Sequence, residues 1–167
     1  MAETLSAALP DDVEALAHRV LREACEKALT LATAESCTGG LLGSLLTDVE
    51  GVAHVFERGF IAYTDEAKSE LLGVSAELID RAGAVSREVA MAMAEGGIAR
   101  SQADICLAIT GFAGPAGPDD EPGLVHCACL RRDGDTAHRE EHFGDIGRGA
   151  TRIACIRIAL EMVSDCL

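Results

Sequence analysis

Three short stretches of this 167-residue chain combine side chains able to do covalent chemistry with glycines that let a ligand near the backbone. The first is Ala34-Glu35-Ser36-Cys37-Thr38-Gly39-Gly40. A strand feeding such a turn and then a helix projects a hydroxyl where free N–H groups and the positive end of the helix dipole gather. That setting suits an oxyanion or a phosphate. Gly39 and Gly40 would let a ligand approach the main chain closely. A plain helix cap by Ser36 or Thr38 is the alternative. The stretch is not a Walker A loop, a Gly-x-Ser-x-Gly elbow or a Ser-x-x-Lys motif.

The second stretch, Gly59 to Lys68, holds the only tyrosine, Tyr63, and one of two lysines, Lys68. If a helix starts near Asp65, Lys68 stacks over Leu72 at i+4, at the edge of the buried stripe. A partly desolvated lysine can act as a general base; a snorkelling surface lysine is the alternative. Lys27, beside Glu26, reads as a solvated helix-end cation. The third stretch is Ala108-Ile109-Thr110-Gly111-Phe112-Ala113-Gly114-Pro115. It can place the Thr110 hydroxyl and backbone amides around a ligand, or be an ordinary surface loop. Arg148 and Arg152 lie four apart, so one helix face can present both guanidiniums to a phosphate or carboxylate. Surface ion pairs are their alternative.

The elements that must position these residues follow from hydrophobic periodicity. Asp11–Lys27 is a helix with Val13, Leu16, Ala17, Val20, Leu21, Ala24 and Ala28 on one face, capped by Asp11 or Asp12. Strands are expected at Leu29–Ala34, Val55–Tyr63 and Asp104–Thr110, and a strand pair at Gly123–Leu130 and Thr136–Phe143 around Asp133-Gly134. Helices are expected at Gly40–Leu46, Asp65–Leu72, Ala76–Arg81, from Ser86 to about Arg100, and at Gly149–Cys166. Helices alternating with buried strands give an α/β layered fold with a mixed, partly parallel sheet. Ligands in such folds sit beyond the carboxyl ends of strands, where the three stretches fall.

Composition narrows the partners. The net charge is −14 and aromatics make up 3%, with no Trp, which disfavours nucleic-acid binding. Hydrophobic residues at 49% allow a packed core and favour one domain. No apolar run is long enough to cross a membrane, and residues 1–10 do not read as an export leader, so a cytoplasmic location is expected. Seven scattered cysteines without a C-x-x-C pair read as small apolar core residues rather than disulfides or a zinc site. His138 and His142 have ligand-like spacing but read as a solvated surface pair.

Together with Arg58-Gly59-Phe60, Glu66-Ala67-Lys68 and Gly83-Ala84-Val85-Ser86, these motifs resemble the CinA C-terminal domain family, over roughly residues 12–165. Stand-alone members of that family are nicotinamide-nucleotide amidases. The resemblance implies a three-layer α/β/α sandwich and hydrolysis of the carboxamide of nicotinamide mononucleotide to nicotinic acid mononucleotide and ammonia. It implies Ser36 as nucleophile, Lys68 as base and Tyr63 as assistant. Backbone amides near Cys37–Gly40 would hold the oxyanion. Thr38, Gly39, Gly40, Thr110, Gly111 and Arg148 or Arg152 would bind the nucleotide. Neither metal nor cofactor is needed, and a homo-oligomer is expected. A catalytically weak nucleotide-binding or protein-interaction module, and a cysteine hydrolase using Cys37, are the competing readings. Three stretches depart from the family pattern, one of them Gly123-Leu124-Val125 in place of Gly-Thr-Val. Gly144-Asp145-Ile146-Gly147-Arg148 carries one or two extra residues, and Asp119-Asp120-Glu121 stands where a lysine is usual.

Overall fold

The computed structural model describes residues 9–167. Residues 1–8, most of the stretch read above for an export leader, lie outside the described residues.

The first helix, α1 (Asp11–Glu26), buries Val13, Leu16, Ala17, Val20, Leu21 and Ala24, the predicted face. Its N-cap is Pro10, with Asp11 and Asp12 inside the first turn, so neither aspartate caps it. They oppose the helix dipole from there instead. The remaining elements are β1 (Leu31–Glu35), α2 (Leu41–Thr47), a single 3-10 turn at Ala53–Val55, β2 (Phe56–Ile61), α3 (Asp65–Leu72), α4 (Ala76–Ala82), α5 (Arg87–Ala99), β3 (Ile105–Gly111), β4 (Leu124–Arg131), β5 (Thr136–His142) and α6 (Arg148–Cys166). The strand expected from Val55 to Tyr63 is therefore shorter at both ends.

The five strands form one sheet in the order β2-β1-β3-β4-β5. β2, β1 and β3 run parallel; β4 and β5 pair antiparallel. Leu31, Ile105, Leu107, Ile109, Val125, Cys127 and Cys129 point to the face covered by α1, α2 and α6. Ala32, Ala34, Cys106, Ala108 and Ala128 point to the face carrying α5. The side chains on the second face are small, and α5 meets them with Gly97, where an added Cβ would stand 2.3 Å from Cys106 Sγ. Both faces being covered explains why the central strands read as continuous apolar runs. The result is the three-layer mixed sandwich anticipated from the sequence.

The chain leaves β1 toward β2 on one side and leaves β3 toward β4 on the other. The crevice between the carboxyl ends of β1 and β3 is thus the switch point where such sheets take ligands.

Candidate active site

A cleft of about 260 Å³ opens at that crevice. Ser36 and Cys37 from the β1 turn, Tyr63, Asp65 and Lys68 from the start of α3, and Thr110 to Pro115 after β3 line it. Ala84, Val85 and Arg148 complete the wall. The three stretches singled out in the sequence meet in one place.

Ser36 is 7% exposed, and its N–H donates to Ile109 O at 3.0 Å, extending the β1–β3 ladder by one rung. The chain then turns sharply through Gly39 (φ +61°) and Gly40 (φ +94°), left-handed conformations that favour glycine. Neither glycine lines the cleft. A Cβ on Gly40 would meet Ile61 Cδ1 at 2.7 Å, and one on Gly39 would face Arg152 Nη2 at 3.7 Å. Their close neighbours are protein groups, Ile61 and Arg152.

The Thr38 hydroxyl, 2% exposed and not part of the cleft lining, donates to Glu35 Oε2 at 2.7 Å. The helix cap expected from Ser36 or Thr38 is supplied by Glu35. Its carboxylate, 1% exposed, also accepts from the amides of Gly40 (3.2 Å), Leu42 (3.0 Å) and Gly43 (2.8 Å). The Gly39 amide goes to Ser36 O. Of the four amides expected for an oxyanion, only those of Cys37 and Thr38 have no acceptor outside their own residue among the described residues; the Cys37 amide faces its own thiol. Sequence reading missed Glu35. The available signal was a lone carboxylate ending an apolar strand just ahead of two glycines and a helix.

Lys68 is 2% exposed, deeper than the stripe edge expected for it. Thr64 caps α3 by accepting from Ala67 N at 3.1 Å, which fixes Lys68 in the first turn. Its ammonium donates to Tyr63 O at 3.3 Å and pairs with Asp65 at 3.6 Å. Tyr63 is 61% exposed, so its ring forms the rim of the cleft, while its carbonyl holds the lysine. Thr110 donates to Ala84 O at 2.8 Å, tying the Gly83–Ser86 stretch to the sheet. Ser86 Oγ accepts from Val89 N and donates to Gly83 O, capping α5 as expected.

The two arginines separate. Arg148, in the first turn of α6, lines the cleft and lies over Gly114, where an added Cβ would fall 2.3 Å from its Nη2. Arg152 is not a cleft residue; its Nε donates to Cys37 O at 2.9 Å. Cys37, 5% exposed, has its thiol held below the usual range by a hydrogen bond with Cys155, with help from Arg152 and against the effect of burial.

His138 and His142 do not share a site. His138 Nε2 lies 3.0 Å from Nδ1 of the buried His126, and the two rings stack. His142 bridges Glu121 (2.7 Å) and Glu140 (2.9 Å). Among the described residues no group of three or more candidate ligands could hold a metal ion. Asp119, Asp120 and Glu121 line a second hollow that shares Ala84, Val85 and Phe112 with the cleft.

The profile of the CinA C-terminal domain family matches residues 13–167. The chain belongs to the CinA C-terminal domain family. A CinA-like protein of Parasynechococcus marenigrum is 47% identical over 151 residues, 89% of this chain and 36% of that protein. A CinA-like protein of Akkermansia muciniphila is 46% identical over 123 residues, 72% of this chain and 30% of that protein. This CinA domain thus spans about a third of the length of the curated relatives it matches. Among solved structures, the competence/damage inducible protein CihA of Agrobacterium tumefaciens superposes with a TM-score of 0.92 at 43% identity, covering 99% of this chain and 98% of that one. A CinA superfamily protein of Escherichia coli gives 0.87 at 36% identity, covering 95% and 94%. Among the described residues no helix is long and apolar enough to cross a membrane.

Proposed function

We propose that this CinA domain is an amidohydrolase that releases ammonia from nicotinamide mononucleotide through a Ser36 acyl-enzyme. The observation that carries the reading is the burial of Ser36 and Lys68 in the wall of one cleft, beside two amides with no acceptor outside their own residue. A serine hydroxyl is a weak nucleophile without an adjacent base. Lys68 is the basic side chain nearest that role, since Arg148 cannot give up a proton.

In this mechanism Ser36 Oγ attacks the amide carbon while Lys68 Nζ, acting as the neutral amine, takes its proton. Catalytic contacts commonly tighten only when substrate binds, so the present engagement of Lys68 with Tyr63 O is compatible with that role. The Cys37 and Thr38 amides receive the developing oxyanion. Such donors contribute about 3–4 kcal/mol each in hydrolases. Lys68 returns the proton to the leaving ammonia, and a water then cleaves the ester. Arg148 supports the anionic end of the substrate. It stands in the first turn of α6, which holds no acidic residue, so the guanidinium and the positive end of the helix dipole reinforce each other. The Tyr63 hydroxyl, at the rim, assists the proton relay once a ligand covers it.

The purified protein is expected to release ammonia from nicotinamide mononucleotide, and Ser36→Ala to abolish that release. Lys68→Arg is expected to be nearly inactive for the reason given for Arg148. Absence of turnover across pH and substrate concentration would remove the amidase reading. Nucleotide binding without ammonia release would favour a binding or interaction module, a reading supported by the acidic residues beside the cleft. Activity that survives Ser36→Ala but not Cys37→Ala would move the nucleophile to the thiol.

A further inference from the structure

We infer that Glu35 and Arg152 are positioning residues that set the Ser36 turn for catalysis from opposite sides, an inference that rests on the amidase reading above. Glu35 accepts one hydroxyl and three amide donors. That nearly exhausts the acceptor sites of a carboxylate. A buried carboxylate is costly unless fully hydrogen-bonded; here the donors and the start of α2 supply the compensation. The same contacts consume the α2 amides, so the helix start expected to hold a phosphate is already filled by the protein's own anion. The substrate anion is thereby directed to Arg148.

Arg152 acts on the other side. It sits one turn beyond Arg148 on α6 and holds Cys37 O. A trans peptide points its carbonyl and its N–H in opposite directions. Fixing Cys37 O toward α6 therefore turns the N–H of Thr38, in the same peptide unit, away from α6. Glu35 thus accounts for the occupied Gly40 amide and Arg152 for the direction of the free Thr38 amide beside Ser36.

Glu35→Gln keeps the shape but places an NH₂ donor against amide donors. In a folded variant, kcat is expected to fall about 100-fold with KM held within about threefold, the size of a misplaced oxyanion donor. Amide exchange at Leu42 and Gly43 should quicken while the core strands stay protected. Arg152→Ala should lower kcat about 10-fold at unchanged KM, with Arg152→Lys recovering part of it. A substrate-binding Arg152 would instead raise KM and leave kcat intact, and that result overturns the inference. Unchanged kcat in both folded variants overturns it as well. Should Glu35→Gln fail to fold, Arg152→Ala decides alone. If the unaltered protein releases no ammonia, the amidase reading fails separately. Amide exchange over residues 37–43 in Arg152→Ala then decides the bracing: faster exchange supports it, unchanged exchange ends it.

Discussion

The two walls of the cleft are built on different principles. The Ser36 turn is held by groups from three elements: the carboxylate of Glu35 at the end of β1, and two distant groups, the β3 carbonyl of Ile109 and the α6 guanidinium of Arg152. The opposite wall, Thr110 to Pro115 with the loop that runs on to Gly123, is held mainly by its own main chain. Phe112 donates to Leu124 O, Gly123 to Phe112 O and Asp120 to Gly117 O. Its residues from Gly117 to Glu121 are exposed. One wall is over-determined and carries the group that must be placed within tenths of an ångström. The other is a loop on a rigid scaffold, where sequence can vary without disturbing the chemistry. The acidic Asp119–Glu121 segment falls in the loop that continues the second wall and lines the neighbouring hollow.

The same substitution in each wall tests that contrast. Thr38→Val removes a hydroxyl that donates to a buried carboxylate, and should cost about 2 kcal/mol. For a chain of this size that is a drop of about 4–8 °C in Tm. Thr110→Val removes a bond to the neutral carbonyl of Ala84, and should cost about 1 kcal/mol. Thermal unfolding of the two variants checks the order. Equal losses would mean that the Ser36 turn is no more constrained than its counterpart.

A second comparison concerns function alone. Gly114→Ala puts a methyl where the Arg148 guanidinium lies, and the flexible side chain must move aside. KM for an anionic substrate should rise about 10-fold, the loss of one charge-assisted contact, with Tm and kcat little changed. Steady-state kinetics check this. A fall in kcat at constant KM would place Arg148 with the chemistry rather than with substrate binding.

The unequal building of the two walls also explains what the sequence reveals. α1 was legible because burial is written into every third to fourth residue, and β3 because a strand covered on both faces is a continuous apolar run. The depth of Lys68 was partly legible through its i+4 relation to Leu72. The division of labour between Arg148 and Arg152 was not. Their spacing puts them on one helix face, but Arg152 meets a carbonyl 115 residues away in the chain. Glu35 was overlooked because its partners are mostly backbone amides, which no residue type announces. The stacking of His126 with His138 requires the β4–β5 register, which pairs Ala128 with His138 and His126 with Glu140.

That hairpin carries the smallest expected effect, and here too two regions differ in sign. Burial holds His126, which pairs with Thr110 across the sheet, and its neighbour His138 below the ordinary value of 6.5. Their contribution to stability is present above that value and fades as pH falls through the lowered ones. His142 is the reverse. Glu121 and then Glu140 hold it above 6.5, so its tether to the acidic loop is complete below 6.5 and is lost as pH rises through the raised value. The tether is exposed, so the change should be modest, about twofold in the rate of proteolytic cleavage within residues 117–122 between pH 6 and pH 9. His142→Gln should cleave at the faster rate at both pH values, after correction for the protease's own pH dependence. A corrected rate that is flat in the unaltered protein would mean that the loop is held by its main chain alone, and the contrast between the two walls would then rest on the Ser36 turn only.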